Sequence, residues 1–172
     1  MKKRVTLLAL MLVAVMSISA QSLIGTWKTA PTKDKDGDIT SWCFIFGQGT
    51  QFTLKMTMET SDKEVGDIVF GLTMPGTYKK SGNTVSIKVD PNKSKGKIEK
   101  MNFTGEMATL VNESPEMKKT VMDMLQKQVD TELTKSFADQ LPFDGDLEII
   151  KLTSTQLDLK SDDEVMKFTR VK

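Results

Sequence analysis

The chain has 172 residues, with 24 basic side chains, 23 acidic ones, no histidine and one cysteine. This near-neutral balance argues against a nucleic-acid-binding protein, and a single cysteine excludes an internal disulfide. The lack of histidine removes the commonest general base and the commonest metal ligand.

The first 20 residues have the layout of a secretory signal peptide. Three positive residues at positions 2–4 precede an apolar run, Val5–Met16, and small residues lead to Ala20. Cleavage there would leave residues 21–172, one ordinary domain with 21 basic and 23 acidic side chains and a formal charge of −2. No later apolar stretch approaches the roughly 18 residues that span a bilayer. We therefore expect an exported protein, periplasmic or extracellular, without stable membrane insertion after cleavage.

The rest of the chain consists mainly of short β segments separated by Gly, Asn and Asp. The clearest alternation is in Gln51–Glu59, where Phe52, Leu54, Met56 and Met58 share one face. The segments predicted as strands are Leu23–Ala30, Trp42–Phe46, Gln51–Glu59, Val65–Met74, Gly76–Lys80, Thr84–Val89, Lys97–Phe103, Glu106–Val111, Leu147–Leu152, Gln156–Leu159 and Val165–Val171. Their regular spacing is typical of a closed barrel or a sandwich.

One helical segment interrupts the β pattern, at about 114–141. Ser114 can cap its start, Pro115 suits the first helical position, and Pro142 ends it. Apolar residues recur every fourth position, at Met117, Val121, Leu125, Val129, Leu133 and Phe137. This repeat drifts by about 40° per step around a straight helix. Either the stripe wraps around a curved surface, or the segment breaks into two shorter helices.

Three motifs carry a resemblance to a known family. They are Gly25-Thr26-Trp27-Lys28, Pro75-Gly76-Thr77-Tyr78 and Phe168-Thr169-Arg170. From Gly25 to Arg170 the chain resembles the lipocalin-like, calycin-type domains of small exported bacterial proteins. The resemblance implies an up-and-down antiparallel β-barrel, in which Trp27 plugs the closed end and Arg170 stacks on it.

In lipocalins the main helix follows the barrel strands, whereas the helical segment here precedes the last three predicted strands. We therefore predict a mostly β fold: a lipocalin-like barrel over residues 21–172 with an inserted helical segment.

Three polar features have ordinary structural interpretations. Cys43 lies within an apolar strand and is interpreted as inert core rather than as a nucleophile. Asp34, Asp36 and Asp38 form a solvated turn, because the loop has a misplaced glycine and lacks the last carboxylate of a calcium site. The basic stretch Lys93, Lys95, Lys97 and Lys100 could meet an anionic lipid or polysaccharide, although a solvated loop over Pro91–Lys95 is favoured. We expect no catalytic site, metal or cofactor.

The best functional candidate is the inward face of the barrel. Such side chains either fill the interior or line a cavity for one small ligand, and both alternatives stay open here. The candidate ligand-binding residues are Phe44, Phe46, Phe52, Leu54, Met56, Met58, Ile68, Phe70, Val85 and Ile87. The leading hypothesis is a non-catalytic protein that binds a small apolar or amphipathic molecule. The alternative is a solid barrel that meets a protein or glycan partner of unknown identity.

Overall fold

A computed structural model describes residues 22–63, 65–139, 141, 145–162 and 164–172. The predicted signal peptide and the helix stop at Pro142 lie outside the described residues. Ten strands belong to one antiparallel sheet. They are β1 (Gly25–Thr29), β2 (Thr32–Lys33), β3 (Ile39–Phe46), β4 (Gln51–Asp62), β5 (Gly66–Ser81), β6 (Thr84–Val89), β7 (Lys95–Phe103), β8 (Gly145–Leu152), β9 (Gln156–Ser161) and β10 (Glu164–Arg170).

Eight of these strands close into a barrel. Around the ring, β1, β3, β4, β5, β6, β8, β9 and β10 follow one another in chain order. Strand β1 pairs with β3 on one side and with β10 on the other, which closes the ring. Closure leaves no free edge between the first and last strands, and every neighbouring pair is antiparallel. The predicted mostly β fold with an antiparallel barrel is confirmed.

The long strand β5 has two partners along the same edge. Its first half, up to Thr73, pairs with β7, and its second half, from Gly76, pairs with β6. The sequence predicts two strands separated near Pro75, but β5 runs through this residue and only its partner changes. Strands β6 and β7 therefore lie end to end along β5, joined by a short 3₁₀ turn at Pro91–Lys93.

The inserted segment contains three helices and a π-helical turn. These are α1 (Gly105–Glu113), α2 (Pro115–Gln128), the π turn (Val129–Leu133) and α3 (Thr134–Asp139). The Ser114 hydroxyl accepts a hydrogen bond from the backbone nitrogen of Met117 at 3.2 Å, so this residue is the predicted cap.

Two predictions for the connecting segments are wrong. Glu106–Val111 lies in α1 rather than in a strand, because Met107, Leu110 and Val111 follow the i, i+3, i+4 spacing of a helix. The segment between the predicted strands Leu23–Ala30 and Trp42–Phe46, where no strand is predicted, contains the two-residue strand β2. Both segments are too short for their apolar pattern to distinguish a strand from a helix or a loop.

The π turn explains the four-residue apolar repeat. Its i→i+5 hydrogen bonds wind the chain less per residue than an α-helix does, which offsets the drift that a straight helix would accumulate. Val129 is accordingly buried, and Leu133 and Phe137 pack against the core. In contrast, Met117 is 48% exposed, so the start of the stripe faces solvent.

Candidate functional site

The barrel is closed at the end where strand β1 begins and strand β10 finishes. The guanidinium carbon of Arg170 lies 4.4 Å from the centre of the Trp27 ring, in the arrangement that the family resemblance implies. Arg170 Nη2 donates to the carbonyl oxygen of Ser22 at 2.6 Å, and Trp27 Nε1 donates to that of Leu23 at 2.7 Å. The segment before β1 therefore crosses this end of the barrel and is held by both side chains.

Aromatic rings fill the interior next to this closed end. The Phe44 ring lies 4.6 Å from that of Phe168 and 5.4 Å from that of Phe52, centre to centre. Phe46 continues the cluster to Tyr78 at 5.0 Å. These tilted and edge-to-face contacts are the geometry that aromatic side chains prefer in cores. The closed half of the barrel is thus a packed core.

The ten predicted ligand-binding residues fall into two groups. Eight are buried: Phe44, Phe46, Phe52, Leu54, Met56, Phe70, Val85 and Ile87. Met58 and Ile68 are only partly buried and pack against this core. Leu54 has 0% exposure, so in this conformation it contacts neighbouring side chains rather than open space. Of the ten, only Met58 and Ile68 keep substantial accessible surface.

A cleft of about 520 Å³ lies at the opposite end of the barrel, which we call the rim. The rim is where β4 runs into β5 and where β7 ends, at Asp62, Gly66 and Phe103. The cleft is lined by Gly37, Ile39, Glu59, Thr60, Ser61, Asp67, Ile68, Val69, Lys100, Met101 and Asn102. Its volume is that of a small-molecule site, and it combines apolar side chains with several polar groups. We refer to it as the rim cleft.

Strand register places the apolar part of the rim cleft. Ile68 on β5 is directly opposite Met101 on β7, so their side chains are neighbours on one face. This pairing depends on a β-bulge at Glu99, because Val69 pairs with Lys100 whereas Phe70 pairs with Ile98. Without the extra residue, Met101 would point to the other face.

Asp67 is one of three charged residues that line the rim cleft, with Glu59 and Lys100. Its carboxylate accepts hydrogen bonds from Ser61 Oγ at 2.5 Å and from Asn102 Nδ2 at 3.5 Å. The Ser61 hydrogen bond above all, then that of Asn102 and the nearby Lys100 ammonium, lower the pKa of Asp67 against a smaller effect of desolvation. The cleft therefore holds an ionised carboxylate, which points to the opposite face of β5 from Ile68.

The inserted helices seal the wall of the barrel beside β7. Strand β8 pairs with β6 and β9 but not with β7, so among the described residues the outer edge of β7 has no strand partner. Gln126 on α2 takes that place: its Oε1 accepts from the Ile98 nitrogen and its Nε2 donates to the Gly96 oxygen, both at 2.9 Å. Asp130 accepts from the Gly96 nitrogen at 3.1 Å. The helical insert is thus part of the barrel wall.

Gly96 permits this close approach. A Cβ atom there would lie 2.5 Å from Thr134 Oγ1 and 2.6 Å from the carbonyl oxygen of Val129. The π turn therefore rests directly on the backbone of β7. Any larger residue at this position would push the helices away from the barrel.

Cys43 is not in the core, which corrects the interpretation from sequence. It alternates with the inward residues Phe44 and Trp42 and so lies on the outer wall, partly exposed. Burial is the largest influence on its pKa and raises it, while the ammonium groups of Lys55 and Lys28 act in the opposite direction. The thiol is therefore mainly protonated at neutral pH.

The aspartate-rich loop binds its own backbone. Asp34 Oδ1 accepts hydrogen bonds from the nitrogens of Asp36, Gly37 and Asp38, each at 2.9 Å. This is the turn that the sequence predicts. Within the described part of the chain, no group of three or more Cys, Asp or Glu side chains is placed to hold a metal ion. Nor does any helix there combine the length and apolar character needed to cross a bilayer.

The basic stretch lies mostly on a strand. Lys93 is in the 3₁₀ turn, where it pairs with Asp90 at 2.9 Å, but Lys95, Lys97 and Lys100 belong to β7. The predicted loop over Pro91–Lys95 therefore ends one residue earlier. Asp67, Lys100 and Met101 of the rim cleft were not predicted as site residues. The sequence pattern did not indicate the orientation of Lys100 and Met101, because the bulge at Glu99 breaks the alternation of β7.

Comparison with known proteins identifies no family. No protein-family model and no curated protein matches the chain. Among solved structures, it is similar to an uncharacterized protein from Bacteroides eggerthii DSM 20697, with a TM-score of 0.40 and 15% sequence identity. The match covers 87% of this chain and 100% of that chain. The barrel itself is consistent with a lipocalin-like fold.

Proposed function

We propose that this protein is an exported, non-catalytic binding protein that takes up a small apolar or amphipathic molecule at the rim of its barrel. The observation that carries the proposal is the rim cleft, whose lining includes the apolar residues Ile39, Ile68, Val69 and Met101 together with the Asp67 carboxylate. Such a site can remove an apolar body from water and bind a polar head group at the same time.

The distribution of methionine supports this assignment. Met58, Met101, Met122 and Met166 are all partly buried side chains that pack against the core. Methionine is flexible and polarizable, so it adapts to apolar ligands of varied shape.

Uptake of the neutral fluorescent probe N-phenyl-1-naphthylamine tests the proposal. We expect the folded wild type to bind the probe and Ile68→Asp to weaken binding by at least about tenfold, because a charge would replace apolar contact area. Val165→Asp is the matched control, since Val165 is an exposed apolar residue on the outer wall of β10. Thermal unfolding of each variant separates lost binding from lost folding.

The head group is tested at Asp67. Asp67→Asn removes the charge while keeping a side chain of the same size, so it should weaken binding of a cationic amphiphile such as dodecyltrimethylammonium. Binding of the neutral probe should stay unchanged. A wild type that binds neither compound would refute the proposed function.

Export is tested by fractionation in a bacterial host. The full chain should reach the periplasm or medium with Gln21 as its first residue, and replacing Lys2, Lys3 and Arg4 by Glu should retain it in the cytoplasm. Retention of the unaltered full chain in the cytoplasm would contradict the assignment.

A second candidate function has its own observation. Leu110, Met117 and Met124, spaced by seven residues along α1 and α2, are 52%, 48% and 68% exposed. Exposed apolar side chains on one helical insert are typical of protein-interaction surfaces. If the protein takes up no apolar probe, binding of a protein partner through these helices is the function that the structure favours next.

A further inference from the structure

A row of lysines crosses the outer wall of the barrel. Strand register places Lys28 opposite Cys43, Cys43 opposite Lys55, Lys55 opposite Thr73 and Thr73 opposite Lys95. Directly opposite residues of antiparallel strands point to the same face, so these side chains form one line across five strands, the lysine row. The ammonium groups of Lys55 and Lys28 both act to lower the pKa of Cys43, which agrees with this placement.

The spacing within the lysine row is regular. Lys28 and Lys55 are separated by β3, and Lys55 and Lys95 by β5. Because neighbouring strands lie about 4.8 Å apart, successive lysines are about 10 Å apart along the line. All three lysines are exposed, and in the described part of the chain none of them lies within ion-pairing distance of a carboxylate. The row is thus a line of uncompensated positive charges.

A groove of about 500 Å³ lies at the β7 end of the row. Lys55, Lys95 and Lys97 line it together with Thr73, above the bare backbone of Gly71. Two carboxylates, Glu99 and Asp130, also line the groove. Oε1 of Glu99 is 2.6 Å from where a Cβ of Gly71 would lie, and Asp130 accepts a hydrogen bond from the Gly96 nitrogen. The positive charges, the Thr73 hydroxyl and the uncovered backbone of Gly71 suit an extended anionic chain. The negative charge of Glu99 would repel such a chain.

We propose that the lysine row binds an anionic polysaccharide laid across the outer wall. A linear chain with anionic groups at repeating intervals matches a linear array of single ammonium groups, and sugar hydroxyls can bond to the threonine. The choice of a polysaccharide over nucleic acid rests on the proposed export, whereas the surface is independent of the rim cleft. A failure of apolar-probe binding therefore leaves this proposal standing.

Dextran sulfate is the probe, with uncharged dextran as the blank. We expect the wild type to bind dextran sulfate, more weakly as salt is raised, and to ignore dextran. Combining Lys28→Gln, Lys55→Gln and Lys95→Gln should weaken binding by at least about tenfold, since each exposed charge contributes modestly. Glu99→Gln should strengthen it. Lys160→Gln, which removes the same charge on β9 at the far side of the ring, should change nothing.

Cys43 supplies a second, local readout. It is the only cysteine, so iodoacetamide labels a single site within the row. Bound dextran sulfate should slow this labelling, and uncharged dextran should not. Equal labelling rates, or equal affinity of the wild type and the triple lysine variant, would overturn the proposal. Tighter binding of single-stranded DNA or of anionic lipid vesicles than of dextran sulfate would overturn the polysaccharide assignment.

Discussion

Arg170 joins three parts of the molecule at one residue. Its guanidinium covers the Trp27 ring, binds the carbonyl oxygen of Ser22 and lies against Gly25, where a Cβ would be 3.5 Å from Cζ. Gly25 also has a φ of +141°, which residues with a Cβ rarely adopt. The glycine of the Gly-x-Trp motif is therefore required by its backbone conformation, since a Cβ at 3.5 Å from Cζ would be an ordinary van der Waals contact.

Replacing Arg170 by Ala should lower the free energy of unfolding by about 1–2 kcal/mol. The loss combines a partly exposed cation–π contact with one charge-assisted hydrogen bond. Arg170→Lys should restore only part of it, because an ammonium lacks the planar surface that stacks on indole. Urea denaturation measures both variants. An Arg170→Ala midpoint equal to that of the wild type would show that the stacking is incidental.

The sequence predicts some residue placements and misses others for identifiable reasons. The stacking of Trp27 and Arg170 was implied by the family resemblance rather than by the residue pattern. The exposure of Cys43 was missed because an apolar strand was treated as buried on both faces, whereas β3 alternates. The surroundings of Asp67 depend on the pairing of β5 with β7, which local pattern does not encode.

Among the secondary-structure elements, the inserted helices take the place of a strand beside β7. Strand β7 would otherwise present a free edge beside β8, and such edges invite pairing with other chains. Gln126 and Asp130 bond to backbone groups of Gly96 and Ile98 instead.

Gln126→Ala should loosen this seal without unfolding the barrel. The Ile98 nitrogen loses its acceptor and the Gly96 oxygen loses its donor, which should cost about 1–2 kcal/mol locally. Hydrogen exchange at the Gly96 and Ile98 amides should accelerate, while that of the β4 amides should not. Gln128→Ala is the control, because Gln128 is an exposed glutamine on the same helix. Equal acceleration in both variants would refute a specific role for Gln126.

The bounds of the strands could be predicted where apolar and polar residues alternate strongly. Where this alternation is weak, the predicted bounds differ from the observed ones. Thr84–Val89 is observed with the predicted bounds, and Gln51–Glu59 is extended by three residues to Asp62. The helix start at Ser114 was also predicted. The π turn was not, since nothing in a helical repeat specifies which hydrogen-bond spacing will absorb its drift.

For the whole molecule, barrel closure makes the first and last strands interdependent. Strand β1 is held between β3 and β10, and Phe168 of β10 packs against Phe44 of β3. The closure could be predicted only from the family resemblance, because periodicity alone fits a sandwich as well. Pairing residues so distant in sequence also implies slow folding, since a long loop must close before these contacts form.

Removing residues 164–172 should therefore unfold the molecule as a whole. The deletion exposes edges of β1 and β9 and removes the fully buried Phe168, whose loss alone is worth about 3–5 kcal/mol. With Trp27 uncovered as well, the total approaches the 5–15 kcal/mol that typically stabilises a domain. Circular dichroism and size-exclusion chromatography should show loss of the β signal and aggregation. Deletion of Lys172 alone, an exposed residue beyond β10, should leave both measurements unchanged. A truncated chain that stays folded and monomeric would mean that the barrel does not depend on the strand that closes it.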